Sequence, residues 1–331
     1  MKKYEYIKRL EKELQNTYSG QSIERCTKYA RRLLDNNLPV IFDSNHIKQI
    51  LKLDKMALNC YHEFEVIGKH KIRKITSPSK RIKLRQQWIL KEILEKNSIS
   101  SCCHGFVKGR SILTNAQMHI GKKNILNLDI KDFFPSISEV MVEQQFKYMG
   151  YNEEVSKTLT NLCCYKGKLP QGAPSSPYLS NLVLYNMDKE LYNFTNKLGV
   201  TYTRYADDMT FSCNTNIEKY RDNIEKIIEK HGFSINDKKT KYFDEKQRKI
   251  VTGLIVKDDK VCVPKRFKRK FKQEIYYCKR LGVNRHLYNT GNMEKVGFKE
   301  YMYGKAYYIA MVEPEKGKYF LKELDSIHWE Y

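Results

Sequence analysis

The chain is 331 residues long and carries 61 Lys or Arg against 38 Asp or Glu, a formal net charge of +23. With 41% hydrophobic residues, 24 Tyr and 14 Phe it has the apolar material for a packed core, which excludes an intrinsically disordered chain. No apolar run approaches the roughly 20 residues that cross a bilayer, and Met1-Lys2-Lys3-Tyr4-Glu5 lacks the apolar stretch of a signal peptide. A soluble, cytoplasmic protein of about two to three domain-sized units is the expectation. Nine cysteines, an odd number with no Cys-x-x-Cys spacing, argue against a disulfide framework or a structural zinc site and for reduced, mostly buried thiols. The charge excess points to a polyanionic partner, because Lys and Arg neutralise phosphates and release counterions. No long basic amphipathic helix flanked by Trp and Phe argues for a membrane surface, so nucleic acid is favoured.

Taken along the chain, the segment before Asn37 reads as helix, ended by Asp35-Asn36-Asn37 with Pro39 beyond. Residues 64–76 alternate β-type side chains (Phe64 and Val66, then Ile72 and Ile75) and read as a hairpin. A first basic run overlaps it: Lys69 to Lys91 holds nine Lys or Arg and no acid. Leu84 to Leu94 has helical spacing, with Trp88, Ile89, Ile93 and Leu94 as its apolar stripe. Gly105 to Ser111 lacks the Gly-Lys-Ser/Thr ending of a Walker loop. Asn124 to Ile130 reads as a short buried strand, and Glu139–Tyr148 and Pro177–Leu198 as helices. Thr201 to Ser212 is a strand pair about a tight turn, followed by a helix from Lys219 to His231. Lys249–Val256 and Val261–Val263 form a second hairpin around Asp258-Asp259. A second basic run, Lys265 to Arg285, has nine basic residues and one acid, with Phe267, Phe271, Tyr276 and Tyr277 interleaved. Two readings stand for these runs: solvated helix faces with the aromatics turned to the core, or nucleic-acid contact surfaces. The irregular alternation of strands and helices fits an α+β sheet rather than a doubly wound parallel one.

Three acids stand where the chain is otherwise most apolar. Asp129 ends the run Ile125-Leu126-Asn127-Leu128, and Asp207 and Asp208 occupy the turn of the 201–212 pair. Adjacent Asp residues in a turn are ordinary turn formers. A carboxylate at the end of a buried strand, by contrast, costs several kcal/mol unless it is paired or metal-bound. If the Asp129 strand lies beside the 201–212 hairpin, three carboxylates converge, a set suited to Mg²⁺ and substrate phosphates. Two such ions about 4 Å apart activate an attacking hydroxyl and stabilise a leaving pyrophosphate.

In sequence order, Asp129-Ile130-Lys131-Asp132-Phe133-Phe134, Leu169-Pro170-Gln171-Gly172-Ala173-Pro174-Ser175-Ser176-Pro177 and Tyr205-Ala206-Asp207-Asp208 resemble the first catalytic motif, the nucleotide-binding loop and the Y-x-D-D box of reverse transcriptases. The resemblance spans roughly residues 64 to 263. Asn115-Ala116-Gln117-Met118-His119 and Val251-Thr252-Gly253 resemble the N-A-x-x-H and V-T-G signatures of bacterial retron reverse transcriptases.

The resemblance implies a right-hand polymerase fold with a mainly antiparallel palm sheet and a helical thumb. It divides the chain into an N-terminal helical extension (1–40), fingers (41–104 and 137–175), palm (105–136 and 176–257) and thumb (258–331). It implies that Asp129, Asp207 and Asp208 are catalytic carboxylates holding two Mg²⁺ ions, with Mn²⁺ an alternative and the backbone at Ile130 nearby. Phe134 falls at the family's steric gate, with a plain core Phe as the other reading; Gln171 and Gly172 line the incoming-nucleotide pocket. Arg73 is the candidate triphosphate clamp, with Lys74 and Arg81 as rivals. Lys239 falls near the departing pyrophosphate, and Thr252-Gly253 in a hairpin gripping the primer end. His119 is either an RNA contact or a hydrogen-bonded structural residue, and Asp132 is left outside the catalytic set. Lys265, Arg266, Lys268 and Arg269 are expected to follow the template–primer duplex.

The function implied is RNA-directed DNA synthesis from dNTPs, on a structured noncoding RNA (msr-msd) that is both primer and template. Synthesis starts at the 2′-OH of an internal guanosine and yields branched msDNA. An effector protein in anti-phage defence is an implied partner, and a membrane is not. No stretch beyond the thumb is long enough for an RNase H domain, so template removal is expected of another protein. The alternatives are an RNA-binding scaffold without synthesis, or a group II intron-type or diversity-generating reverse transcriptase.

Overall fold

The computed structural model describes residues 3–15, 17–52, 61–67, 72–292 and 296–329, with residues 67, 72 and 73 described by their backbone alone. The chain divides into two compact units, one of residues 1–107, 130–193 and 223–236, the other of residues 108–129, 194–222 and 237–331.

In the first unit the expected N-terminal helix is two helices, Lys3–Leu14 and Gly20–Asp35, the second closed by Asn37 in the left-handed region at φ +56. The hairpin forms as expected: β1 (Tyr61–Ile67) and β2 (Ile72–Pro78) are antiparallel, with Phe64 opposite Ile75. Helix Lys80–Glu92 buries Ile82, Gln86 and Ile89. The expected stripe is cut short, because Ile93 and Leu94 are buried beyond the helix end, in a 3₁₀ turn. Helix Glu153–Cys163, which no pattern announced, is capped by the Asn152 side chain accepting from the Val155 N–H at 2.9 Å. The expected 177–198 helix is likewise two, Ser176–Val183 and Tyr185–Lys197.

The second unit carries two antiparallel sheets. One contains β3 (Asn124–Asp129), β4 (Thr201–Tyr205), β5 (Asp208–Cys213) and β6 (Lys241–Phe243) in the order β4-β5-β3-β6. The other is a meander of β7 (Ile250–Val251), β8 (Leu254–Val256) and β9 (Val261–Cys262), where a two-stranded hairpin was expected. The extra strand follows from Thr252 and Gly253, at φ +44 and +81, which turn the chain inside the segment read as one strand. The helices of the unit include Ile112–Gln117, Lys265–Leu281, Val283–Asn289, Phe298–Val312 and Pro314–Asp325. Val251, Leu254 and Val256 share one core with Phe271, Met302 and Phe320. A Cβ at Gly317 would lie 2.2 Å from the Ala310 Cα, so this helix crossing requires glycine. Glu313 accepts from the Val263 N–H at 2.9 Å and pairs with Lys268, and Glu274 pairs with Lys305.

Helices and antiparallel sheets together make an α+β chain. Among the described residues all eight cysteines are free, and no helix is long and apolar enough to cross a membrane.

Candidate active site

Register builds the site. The β3–β5 ladder places Asp129 opposite Asp208, while the β4–β5 ladder pairs Tyr205 with Asp208 and leaves Ala206-Asp207 as a two-residue turn. The three carboxylates therefore meet at one end of a single sheet, as the sequence required if these strands were neighbours. Ala206 sits at φ +58, whereas Asp207 has no positive φ, the pattern of a type II′ turn. A non-glycine residue in that region costs of order 1–3 kcal/mol, a strain that recurs at functional sites. Fully buried Arg204 donates from Nη1 to the Ala206 carbonyl at 3.1 Å.

Asp129 is 4% exposed, and both its oxygens accept from the Lys239 ammonium, at 2.8 and 2.6 Å. The same ammonium lies 3.9 Å from Asp207 Oδ2. Desolvation, and then the like charge of Asp129, raise the Asp207 carboxyl above its ordinary value. Desolvation followed by the charges of Asp207 and Asp129 pushes Asp208 up to about 6. Asp208 is open to solvent on one side, so a cation would have access to the carboxylates and would relieve the like-charge part of these shifts. Desolvation opposes the charge on Lys239, yet the bond it donates to Asp129 and the charges of Asp129, Asp207 and Asp208 hold its pKa above the usual lysine range.

The donor set suits a hard cation: three carboxylates, unfavourable together, that already draw one positive group into their midst. Among the described residues no three His, Cys, Asp or Glu side chains are closed round one point in metal-ligating geometry. The positive charge held here is Lys239's own.

The remaining nucleotide-pocket candidates lie in the other unit. The Gln171 carbonyl accepts from the Thr76 N–H at 2.8 Å, tying the Pro-Gln-Gly loop to β2. Gly172 is at φ +127, and a Cβ there would stand 3.0 Å from the Thr76 carbonyl oxygen, so no other residue fits without a shift. Phe134 is half-buried against Phe133, edge-on at 5.1 Å; Phe133 takes the core place and leaves the Phe134 ring partly open. Ile130 is buried and bridges to Ile235. The Arg73 backbone pairs with Val66, and its side chain lies outside what the structure describes. Its rival Lys74 stands 3.5 Å from Glu63.

Of the two readings of His119 the structure fits the hydrogen-bonded structural one, and Lys268 differs from the other basic candidates on its helix. His119 is fully buried, with Nδ1 at 2.6 Å from Ser212 Oγ and Nε2 at 2.7 Å from Thr203 Oγ1. It joins β4 to β5 and has no surface to offer RNA. Lys268, expected on RNA, is 14% exposed and paired with Glu313 inside its own unit. Lys265, Arg266 and Arg269 on the same helix are exposed, because helical periodicity turns position 268 inward. Thr252 and Gly253 form a two-residue turn with both φ positive, the type I′ form, and Thr252 Oγ1 donates to the Ile112 carbonyl at 3.3 Å. Sequence reasoning missed Arg204, which reads as an ordinary strand cation until its burial is known.

Residues 62–257 match the reverse transcriptase (RNA-dependent DNA polymerase) family. The chain is 41% identical over 209 residues to the retron Ec86 reverse transcriptase of Escherichia coli, covering 62% of this chain and 65% of that one. It is 33% identical over 291 residues to the retron Mx162 reverse transcriptase of Myxococcus xanthus (77% and 58%). It is 34% identical over 234 residues to the retron Se72 reverse transcriptase of Salmonella heidelberg (67% and 62%). The matches thus span less than two thirds of the length of these relatives.

Proposed function

The chain belongs to the reverse transcriptase family, with that family's right-hand polymerase fold, and from this membership we propose that it is the RNA-directed DNA polymerase of a bacterial retron. The observation that carries the reading is the register that sets Asp129 against Asp208, with Asp207 at the adjoining turn and Lys239 bridging.

In this reading Asp129, Asp207 and Asp208 hold two divalent cations, Mg²⁺ or alternatively Mn²⁺, near the backbone at Ile130. When bound, such ions lower the pKa of the attacking hydroxyl and neutralise charge on the triphosphate and the leaving pyrophosphate. Lys239, now on Asp129, is a cation available to the pyrophosphate. Gln171 and Gly172 let backbone approach the incoming dNTP, and Arg73 grips its phosphates. The partly open Phe134 ring crowds a ribose 2′-OH. Thr252-Gly253 meets the primer end, while Lys265, Arg266 and Arg269 contact the duplex backbone. The fingers, palm and thumb follow the boundaries given above.

The partner is a retron noncoding RNA, msr-msd, primed from the 2′-OH of an internal guanosine and copied into branched msDNA. A cytoplasmic location and a place in anti-phage defence beside an effector protein complete the proposal. The test is to sequence nucleic acid that co-purifies with the protein from its native locus, beside an Asp207→Asn/Asp208→Asn control. A short DNA branched to a discrete RNA, in wild type only, is expected. RNA alone in both samples would mean a scaffold without synthesis, and no discrete nucleic acid would remove the retron assignment.

A further inference from the structure

Arg204 is the bulkiest of the fully buried side chains among the described residues. A guanidinium stays charged throughout the accessible pH range and is costly to bury unless its donors are used. One of those donors, Nη1, goes to the Ala206 carbonyl, 3.1 Å away across the catalytic turn. That carbonyl belongs to the one peptide group able to set the turn's form. A two-residue hairpin is type I′ when both central residues have positive φ, and type II′ when the first alone does. The two differ by a flip of the peptide between them, hence by the direction of the first residue's carbonyl. Within the same unit, Thr252-Gly253 shows the I′ pattern at φ +44 and +81, whereas Ala206-Asp207 shows the II′ pattern. Glycine is the residue suited to the first position of II′, so an alanine there works against the form observed.

We propose that Arg204 is a positioning residue of the catalytic hairpin: its guanidinium holds the Ala206 carbonyl so that the turn stays in the II′ form, and thereby sets where Asp207 presents its carboxylate. Asp207 supplies the nitrogen of the peptide that would flip, so loss of the donor re-aims its side chain. This role rests on the polymerase reading given above.

The test is single-nucleotide addition to a primed RNA template by the purified full chain, as wild type, Arg204→Lys, Ala206→Gly and the double variant. Arg204→Lys keeps the buried charge but loses the planar fork. At saturating dNTP its rate should fall about tenfold, as for a misplaced reacting group, with dNTP KM and RNA affinity little changed. Glycine accepts the II′ turn unaided, so adding Ala206→Gly should recover most of that loss. A rate unaffected by Arg204→Lys, or losses that merely add in the double variant, would overturn the proposal. If Arg204→Lys does not fold, Ala206→Val carries the test, since a β-branched residue at positive φ opposes the turn with Arg204 in place. A lowered rate at unchanged RNA affinity supports the role, and an unchanged rate refutes it. Wild-type protein that adds no nucleotide would instead refute the polymerase reading, and this role with it.

Discussion

Asp207 and Asp208 sit side by side in sequence, yet their places differ: one lies in the turn and the other opens β5 opposite Asp129. Substituting Asp207 by Asn keeps the side chain's size while removing the charge that a cation needs. Asp207→Asn is expected to abolish DNA synthesis, by at least about a hundredfold for a group acting directly on the reacting phosphates, while sparing RNA binding in a gel-shift assay. Full synthesis by this variant would remove the carboxylate from the site. At Phe134 the gate and core readings predict different outcomes, and its neighbour Phe133 already supplies a core contact at 6% exposure. Phe134→Ala should raise incorporation of ribonucleotides relative to deoxynucleotides, measured in competition on one template. Unchanged sugar selectivity would return Phe134 to a packing role.

At the scale of elements, the β4–β5 hairpin is braced from within. His119 reaches Ser212 on β5 and Thr203 on β4, so removing its ring strands two buried hydroxyls at once. His119→Ala should cost about 2–4 kcal/mol of stability, on the scale of two lost hydrogen bonds with buried partners, read as a lower urea midpoint. Had the residue served RNA alone, the midpoint would not move. Helix Val283–Asn289 carries a pH-sensitive counterpart. Desolvation lowers the His286 pKa from its ordinary 6.5, with Glu274 opposing. The unfolded chain then binds this proton at higher pH than the folded one, so stability is full above about pH 6.5 and falls as pH drops toward the lower folded value. The melting temperature should therefore decline on acidification below that point, and His286→Gln should flatten the decline. Identical pH profiles for the two proteins would refute the assignment.

For the molecule as a whole, the +23 charge makes nucleic-acid binding a salt-dependent quantity. RNA affinity should fall steeply and log-linearly with salt. Lys265→Ala/Arg266→Ala should lower that slope by about two, one per phosphate contact. Lys268→Ala should leave the slope alone and lower the melting temperature, because it takes from Glu313 a largely covered ion-pair partner and leaves it only exposed Lys316 and the Val263 N–H. Fluorescence anisotropy across a salt series separates the two, and equal slopes for wild type and the double variant would take Lys265 and Arg266 off the RNA.

The family was legible in the chain because its motifs restrict residue types over short stretches: an acid ending an apolar strand, a Pro-Gln-Gly loop, a Tyr-Ala-Asp-Asp turn. Hairpins 61–78 and 201–213 were legible for a similar reason, since period-two alternation and the turn between strands are local properties. What neighbours in sequence do not encode was left to tertiary structure. The Asp129–Asp208 register is a pairing of strands some eighty residues apart, and the inward turn of Lys268 depends on Glu313, which lies in another helix connection. His119 and Arg204 show the limit most sharply. Each is a polar side chain whose type permits contact with RNA, and burial alone makes one a clasp between strands and the other a support for the turn. Burial is a sum over contacts from distant parts of the chain, so only the folded molecule decides it.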